Sequence, residues 1–357
     1  MAEDRGEGTR RVRIDDLRRC LALAFQRLGL APREGEALGG LLVDSELRGH
    51  AGHGVAALAI LASLYRDGTL NPRPRVRVLR ETDGALLLDG DHGCGPGAPT
   101  WAMRWCVERA RQREGMAVAT LRDWQLVVAG PYARLAAEAG LIGFVCTNFV
   151  PLVAPPGGRT AVLGSNPVAY GLPAERHHPV VLDIATTVAS MQEVRIAARE
   201  GAAVPEGILL DRDGRPTTDP AELFEGGSLA PLGSPLAAHK GFGLALLVDA
   251  LAGVLSGAGF AQGVGAGGAG SFLWALDVEA FMPRREFLER MDAQIDQIKE
   301  GRRLPGIDEL LVPGERGQRR YGDRTAGGAV PLGPTTWDAL ATSCRSLGAP
   351  LPAVIES

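Results

Sequence analysis

The chain has 357 residues, of which 45% are hydrophobic and 22% are charged, and its formal net charge is −4. This composition is typical of a globular protein long enough for a large core or for two to three lobes. No basic segment stands out, which argues against a nucleic-acid partner. No apolar run approaches the ~20 residues that cross a bilayer, and residues 1–13 are too charged for a secretory signal. We therefore expect a cytoplasmic protein, without a membrane partner, whose amino terminus is frayed.

The cysteine and histidine spacings predict neither a disulfide framework nor a metal site. The cysteines are scattered, are odd in number and include no CxxC pair, so reduced thiols fit best. They are Cys20, Cys94, Cys106, Cys146 and Cys344. Cys94 lies in a Gly-rich segment, where an inert loop thiol is favoured over a reactive one. His50 and His53 lie close together, but no HExxH or similar carboxylate spacing accompanies them, so no metal is expected.

Taken in chain order, the apolar patterns predict helices and strands that interleave without a regular βαβ period. Helices are predicted at 14–46 (as two), 53–67, 97–114, 131–140, 188–200, 239–256, 286–301 and 335–348. Strands are predicted in a hairpin at 75–89 and at 116–123, 141–149, 161–173, 179–186, 208–216 and 271–278. This order predicts a mixed α/β fold with helical segments at both ends.

The segment 239–256 is the most informative of these. Its apolar residues recur with helical spacing and predict one buried face. They are Leu244, Leu247, Val248, Leu251, Val254 and Leu255. Gly241 and Gly243 leave the first turn open to another group, and a helix start beside His239 and Lys240 suits an anionic ligand. On the spacing alone, a core helix with a solvated first-turn lysine is the favoured interpretation.

A GxGxxG pattern occurs at Gly265, Gly267 and Gly270. It follows a predicted helix and precedes a predicted strand. The dinucleotide fingerprint needs a strand and then a helix, because the phosphate meets the helix start. We therefore reject a Rossmann site and expect a flexible loop here.

Several longer motifs follow one another along the chain. In order they are RGHAGHGV, GDHGCGPG, PPGGRTAVLGSNPVAYGLP, VVLDIATTVASMQEV, HKGFGLALLVDALAGVLSGAGF and LVPGERGQR. Together they resemble the malate/L-lactate dehydrogenase family, the sulfolactate-dehydrogenase-like oxidoreductases. The resemblance covers roughly residues 13–349, and linked motifs in one order are more specific than any single motif.

This resemblance implies a nicotinamide enzyme that uses NAD or NADP and has a non-Rossmann, sulfolactate-dehydrogenase-like fold. It implies a helical lobe built from 1–74 with 286–357. The sheet-based cofactor domain is expected at 75–285, with a variable subdomain around 200–232. A homodimer acting on a small-molecule substrate, with its active site near the subunit interface, is also implied.

The resemblance further implies roles for individual residues. His53 matches a histidine that gives a proton to the substrate, which suits a group that titrates near neutral pH. Lys240 is expected to hold or polarise the substrate, and Gln125 occupies the position of a second catalytic residue. Cofactor contacts are expected from Ser165, Asn166, Asp183, Ile184, Ala185, His239, Pro313, Gly314, Glu315 and Arg316. Arg48 and Trp124 are expected on the substrate side.

Four positions depart from the family pattern. Gly52 replaces a serine whose hydroxyl would orient the histidine, and Ala57 replaces an arginine that would hold a substrate carboxylate. Gln125 replaces a histidine and cannot transfer a proton near neutral pH. Trp124 replaces an asparagine and adds an apolar wall. These changes predict a larger, less anionic substrate than malate or lactate.

Three functions stay open on the sequence. The favoured one is NAD(P)-dependent reduction of a C=O or C=N group in a small, atypical substrate of specialised metabolism. The alternative is a divergent scaffold that has cyclase-type or isomerase-type activity, or that serves as a non-catalytic partner. The third is an ordinary malate or lactate dehydrogenase, against which Ala57 and Gln125 argue. Glu193 falls where some members carry an active-site acid, but an exposed helix residue fits it equally well.

Overall fold

The computed structural model describes residues 8–265 and 268–355. The α-helices are α1 (Ile14–Arg27), α2 (Pro32–Leu47), α3 (Ala57–Arg66), α4 (Gly97–Gln112), α5 (Gly130–Glu138), α6 (Met191–Glu200), α7 (Ala238–Val248), α8 (Arg284–Lys299), α9 (Glu315–Ala326) and α10 (Pro334–Leu347). The strands are β1 (Arg10–Arg13), β2 (Arg77–Glu81), β3 (Ala85–Cys94), β4 (Met116–Gln125), β5 (Ile142–Thr147), β6 (Val168–Leu172), β7 (Val180–Ile184), β8 (Leu209–Leu210), β9 (Pro216–Thr217), β10 (Ser228–Leu229), β11 (Gly270–Leu276), β12 (Ala329–Leu332) and β13 (Val354–Ile355).

A seven-stranded sheet forms the centre of the molecule, in the order β2-β3-β4-β11-β5-β6-β7. Only the β3–β4 pair of this sheet is parallel, so the mixed α/β prediction is confirmed and the sheet is not a Rossmann sheet. The predicted hairpin at 75–89 is β2 and β3. Buried side chains of β4 and β11 share one core with Met103 of α4 and Tyr132 of α5. A second small sheet, β10-β8-β9, lies within the predicted variable stretch.

Helices from both ends of the chain share a second core. Leu17 of α1, Leu42 of α2, Leu58 of α3 and Leu340 of α10 are all buried in it. The prediction of a frayed amino terminus is wrong for residues 10–13, because β1 pairs with β12 and β13. Residues 1–7 lie outside the described residues. The two ends of the chain are therefore joined by backbone hydrogen bonds as well as by apolar packing.

The helix α8 packs against the outer strand of the central sheet. Its Met291 and Ile295 contact Val180 of β7. Asp292 accepts a hydrogen bond from the Arg176 backbone N–H at 2.9 Å. The prediction placed this segment in the terminal helical lobe, but its apolar side chains pack against Val180 of the sheet. The wider division into lobes stays a prediction.

The helix predicted at 239–256 is present, but only part of its predicted apolar stripe is buried. α7 continues as a π-helix over Asp249–Val254. Val248 is buried and Leu251 packs beside it, whereas Leu247 is 53% and Leu255 57% exposed. Gly241 is also buried, and a Cβ added there would lie 2.3 Å from the backbone N of Leu232. Close backbone packing thus decides which side is buried. Among the described residues, no helix is long and apolar enough to span a membrane.

The Gly-rich segment before β11 is a site of close packing where it can be described. Gly270 begins β11, and a Cβ added there would lie 1.8 Å from the carbonyl oxygen of Ala252. Gly267, the middle residue of the GxGxxG pattern, lies outside the described residues. The expectation of a flexible loop therefore does not hold for Gly270, where the strand crosses directly against the π-helix.

Candidate active site

A cavity of about 620 Å³ lies between α2, α5, β7 and the start of α9. Small-molecule sites commonly measure ~300–1,000 Å³, so its size fits a ligand. The lining residues are Asp44, Ser45, Arg48, His50, Val128, Gly130, Pro131, Arg134, Glu138, His178, Pro179, Val181, Leu182, Asp183, Leu311, Val312, Pro313, Gly314, Arg316, Gly317, Gln318 and Arg320. Four arginines and two histidines face three carboxylates, a balance that favours a ligand carrying phosphate or carboxylate groups.

Asp183 lies near the end of β7, at the wall of this cavity. Its Oδ2 accepts a hydrogen bond from the backbone N–H of Gly130 at 2.6 Å. Gly130 begins α5, so the carboxylate lies at a helix start, where the free N–H groups favour negative charge. Burial raises the pKa of Asp183, while the Gly130 N–H and the nearby His53 and His50 act in the opposite direction.

Two histidines follow α2: His50 precedes a short 3-10 turn, Ala51–His53, and His53 ends it. The backbone N–H of His53 donates to the carbonyl oxygen of His50 at 2.9 Å, which fixes the turn. Burial lowers the pKa of both rings, whereas the charge of Asp183 opposes that shift. A buried imidazole with a lowered pKa is neutral near neutral pH and accepts a proton. No group of three or more possible metal-ligating side chains occurs in the part of the chain that the structure describes.

The space beside Gly52 is filled by the start of α6. A Cβ added at Gly52 would lie 2.8 Å from Cβ of Gln192. Ser190 and Glu193 form a capping box, in which the Ser190 N–H donates to Glu193 at 2.6 Å. Glu193 is thus exposed and engaged in its own helix cap, but its charge also raises the pKa of His53. The exposed, helix-capping interpretation of Glu193 is therefore confirmed, and an active-site role stays a prediction.

Arg48 lines the cavity but already has partners. Its Nε donates to Asp44 at 3.0 Å, and its Nη1 donates to Gln318 at 2.9 Å. The guanidinium also stacks on Tyr321, 4.5 Å from the ring centroid. Asp44 is shared with Arg134, at 3.3 Å. Arg48 is therefore held rigidly at the cavity wall, where the sequence predicted a substrate contact, and part of its donor capacity is used within the protein.

The loop before α9 reaches the cavity from the other side. The Val181 N–H of β7 donates to the carbonyl oxygen of Pro313 at 3.2 Å. Gly314 has a φ of +85°, and a Cβ there would lie 2.6 Å from the oxygen of Val181, so this position requires glycine. Arg316 is exposed, lines the cavity and makes no hydrogen bond or ion pair with another described residue.

Glu315 has partners within the protein. Its carboxylate accepts hydrogen bonds from Lys299 Nζ at 2.6 Å and from the Val312 N–H at 3.2 Å. Arg319 also pairs with it, and with Glu309. Glu315 is the first residue of α9, and its carboxylate ties the loop before the helix to Lys299 of α8, so a cofactor contact through this side chain stays a prediction. Its part in the site is to position Gly314 and Arg316.

Trp124 and Asn166 are buried, and neither lines the cavity. The Trp124 ring packs over Gly90 and Gly93, and its Nε1 donates to the carbonyl oxygen of Gly95 at 2.8 Å. The prediction of an apolar substrate wall is therefore wrong, because the neighbouring glycines open a core position for the ring. Asn166 accepts from the Phe149 N–H and donates to Ala245, so it holds the chain in place instead of contacting a cofactor.

The remaining predicted residues lie outside the cavity. Ser165, Ile184 and Ala185 are half-buried around the end of β7, and Gln125 is half-buried at the end of β4. His239 and Lys240 are exposed at the start of α7. The segment before α7 is joined to the one after β7, since the Leu232 N–H donates to Thr186 at 2.9 Å. The structure thus brings the start of α7 beside the predicted cofactor segment without placing Lys240 at the cavity.

The sequence interpretation missed His178 and Arg134, which both line the cavity. Arg134 lies one turn into α5, and His178 directly precedes β7. The loop of His178 is fixed to α8, since His177 Nε2 lies 2.8 Å from Asp296 Oδ1 and Arg176 also pairs with Asp296 at 2.5 Å. The available signal was the adjacent pair of histidines directly before β7. His178 before this strand and Asp183 near its end both line the cavity.

Comparison with known proteins decides the family. The model of the malate/L-lactate dehydrogenase family matches residues 12–341. This chain belongs to that family. It is 34% identical to the malate dehydrogenase of Pyrococcus abyssi, with 95% of each chain covered. It is 30% identical to the L-sulfolactate dehydrogenase of Methanocaldococcus jannaschii, covering 93% of this chain and 96% of that one.

Solved structures of this dehydrogenase family share the fold. The malate dehydrogenase of Pyrococcus horikoshii superimposes with a TM-score of 0.87 at 31% identity and covers 97% of both chains. The delta1-piperideine-2-carboxylate reductase of Pseudomonas syringae has a TM-score of 0.81 at 26% identity, covering 93% of this chain and 99% of that one. The predicted non-Rossmann, sulfolactate-dehydrogenase-like fold is therefore confirmed, and the enzyme is an NAD(P)-dependent oxidoreductase.

The residues of the cavity fit a nicotinamide dinucleotide. Arg316 is available for a phosphate, and backbone groups of Pro313 and Gly314 line the wall next to β7. His50 and Asp183 line the same cavity, and both interact electrostatically with His53. Cationic side chains together with titratable imidazoles suit a ligand that carries phosphate groups and a reactive ring.

Proposed function

We propose that this dehydrogenase reduces a C=O or C=N group of a small substrate that lacks the carboxylate arrangement of malate and lactate. The observation that carries the proposal concerns two positions beside His53. Ala57 is buried in the core of the terminal helices, and the space at Gly52 is filled by Gln192. Neither a serine hydroxyl nor a bidentate arginine is therefore available beside the histidine, and Arg48 is already paired with Asp44.

His53 supplies the proton chemistry in this proposal. A bound nicotinamide would accept or supply the hydride. His53 is neutral near neutral pH because burial lowers its pKa, so it accepts the hydroxyl proton when an alcohol is oxidised. In the direction of reduction, the protonated ring gives that proton back. Asp183 and Glu193 oppose the loss of this charge, since both raise the pKa of His53.

Malate is the second candidate substrate, and the relatives favour it. The malate dehydrogenase of Pyrococcus abyssi matches this chain over 95% of its length. Arg134, Arg316 and Arg320 also line the cavity and offer cationic contacts to a dicarboxylate. The two candidates differ in one measurable respect, which is the importance of the second carboxylate for turnover.

A substrate panel separates them. Consumption of NADH and of NADPH is followed with oxaloacetate, pyruvate, a cyclic imine carboxylate and neutral ketones and imines. We expect the best panel member to exceed oxaloacetate by about 100-fold or more in kcat/KM, since an unpaired buried carboxylate costs several kcal/mol. Oxaloacetate as the best substrate would identify an ordinary malate dehydrogenase. Substrate turnover without loss of reduced cofactor would support the non-redox alternative.

The outward apolar face of α7 supports the homodimer that we also propose. Its members are Leu244, Leu246, Leu247, Val254 and Leu255, each more than two-fifths exposed. A contiguous apolar face of this kind marks an interaction surface. Lys240 lies one turn before Leu244, so a second copy seated on this face would cover Lys240 and enclose it beside the segment after β7. That arrangement would give Lys240 the substrate contact that a single chain leaves open to solvent.

The double variant Leu247→Glu/Leu255→Glu is expected to be monomeric, because it places charges in an apolar interface. Light scattering coupled to size-exclusion chromatography measures the mass of the wild type and of the variant. Phe281→Glu is the matched control, since Phe281 is 74% exposed outside this face and its change should leave the mass unaltered. A monomeric wild type, or a double variant that stays dimeric, would contradict the proposed interface.

A further inference from the structure

Two buried cysteines from opposite ends of the chain lie in contact. Sγ of Cys20 in α1 is 3.3 Å from Sγ of Cys344 in α10. Both are in the core of the terminal helices, and Cys344 is fully buried. The sequence predicted scattered, unrelated thiols, because 324 residues separate the two positions. Packing of α10 against α1 brings them together.

The other cysteines are isolated from this pair. Cys94, Cys106 and Cys146 are free thiols, and Cys106 and Cys146 lie in other cores. Cys94 contacts the Tyr65 hydroxyl instead of a second thiol, and burial raises its pKa to about 12. They therefore have no neighbouring sulfur with which to react. The pair in α1 and α10 is distinct from them in geometry.

We propose that Cys20 and Cys344 are a disulfide-forming site that links the first helix of the enzyme to its last. A disulfide requires an S–S bond of about 2.05 Å and two cysteine side chains that point towards each other. The two thiols are already in van der Waals contact, so a small approach of α10 towards α1 suffices. The chemical partner is a low-molecular-weight disulfide such as oxidised glutathione.

The exchange balances in two steps. The Cys344 thiolate attacks one sulfur of the oxidant, which forms a mixed disulfide and releases one small thiol. The Cys20 thiolate then attacks the protein-side sulfur of that mixed disulfide and releases the second small thiol. The protein loses two electrons and two protons, and the oxidant gains both. The 3.3 Å contact supports this order, since a hydrogen bond with Cys20 lowers the pKa of Cys344.

The cross-link would stabilise the terminal helices. It closes a loop of more than 300 residues, and loop-closure entropy favours cross-links between distant positions. We expect oxidation to raise the Tm by roughly 5–10 °C, reversibly on reduction. Because neither sulfur is exposed, the reaction should be slow in the folded protein and faster when the terminal helices open.

The test uses the full chain with oxidised glutathione, both in the folded protein and during refolding from urea. Alkylation in denaturant and intact mass spectrometry count the free thiols, which should fall from five to three, and peptide mapping should identify the Cys20–Cys344 link. Cys20→Ala and Cys344→Ala should retain four alkylatable thiols and no rise in Tm. Cys106→Ala is the matched control, since it removes a buried cysteine elsewhere and should leave the cross-link intact.

Any of three results would overturn the proposal. One is the survival of five alkylatable thiols after oxidation of both the folded and the refolded protein. Another is a disulfide between any other pair of cysteines, which would mean that the contact in the folded state does not direct the pairing. A mixed disulfide with glutathione at Cys344 that never resolves would equally contradict it, because the second attack would then be prevented.

Discussion

The variant His53→Gln should lower kcat/KM by ~10²–10⁴-fold, the range that a positioned general acid–base contributes. Glutamine preserves hydrogen bonding but cannot transfer a proton near neutral pH. The ring of His53 lies beside Asp183, on a turn that its own backbone N–H fixes, so the loss should be in proton transfer and not in folding. Steady-state rates in both reaction directions measure it.

The pH dependence of kcat/KM should show which protonation state of His53 each reaction direction requires. Burial lowers the pKa of His53 from its ordinary 6.5, so the ring is neutral above that lowered value. Oxidation of an alcohol needs the neutral ring, and kcat/KM should rise as pH increases through a pKa below 6.5. Reduction needs the protonated ring, and kcat/KM should fall over the same interval. This pH dependence of kcat/KM should be absent in His53→Gln.

A histidine outside the site provides the control. His92 is exposed and has a φ of +54°, a conformation that asparagine tolerates, so His92→Asn should leave both rates and the pH profile unchanged. Equal losses in His92→Asn and His53→Gln would point to a general effect on the enzyme. An unchanged rate in His53→Gln would remove His53 from the catalytic machinery.

Gly270→Ala should destabilise the protein by about 3 kcal/mol, at the upper end of the usual cost of overpacking. The new Cβ would lie 1.8 Å from the carbonyl oxygen of Ala252 and 2.6 Å from Oγ of Ser256. Ala252 belongs to the π-helical stretch and Ser256 follows it, so the new methyl group would meet backbone on the side where β11 packs. Urea unfolding measures the free energy of unfolding.

Gly263→Ala is the matched control for this change. Gly263 lies a few residues earlier, in a short 3-10 helix, and no heavy atom lies within 4 Å of the Cβ that alanine would add. Its stability should remain within about 0.5 kcal/mol of the wild type, as for surface changes in general. Similar stabilities for the two variants would mean that β11 and the π-helix do not pack as closely as described.

The sequence predicted the positions of helices and strands more reliably than the residues against which they pack. It located the helix at 239–256 because apolar spacing follows the helical period, yet it assigned the buried face only in part. Val248 is buried as predicted and Leu247 and Leu255 are exposed, while Gly241 lets the helix backbone approach Leu232. Periodicity identifies an apolar face and carries no information about which neighbour covers it.

For the site residues too, the sequence located short segments but did not identify the neighbours of each side chain. The motifs pointed to Asp183, which lines the cavity, and to His53, which interacts electrostatically with it, because each motif fixes a short backbone segment. Trp124 was misplaced because its environment depends on Gly90 and Gly93, which belong to a strand paired with its own. The Cys20–Cys344 contact was missed because nothing in the local sequence of either helix encodes their packing.

Dinucleotide binding to Arg316→Gln tests whether the cofactor occupies the cavity between β7 and α9. NADH and NADPH are titrated and followed by fluorescence. We predict that the Kd rises by roughly 10–100-fold, the value of a charged hydrogen bond of about 1.5–3 kcal/mol. Arg302→Gln, an exposed arginine outside the cavity, should bind as the wild type does. An unchanged Kd in Arg316→Gln would contradict the placement of the cofactor in this cavity.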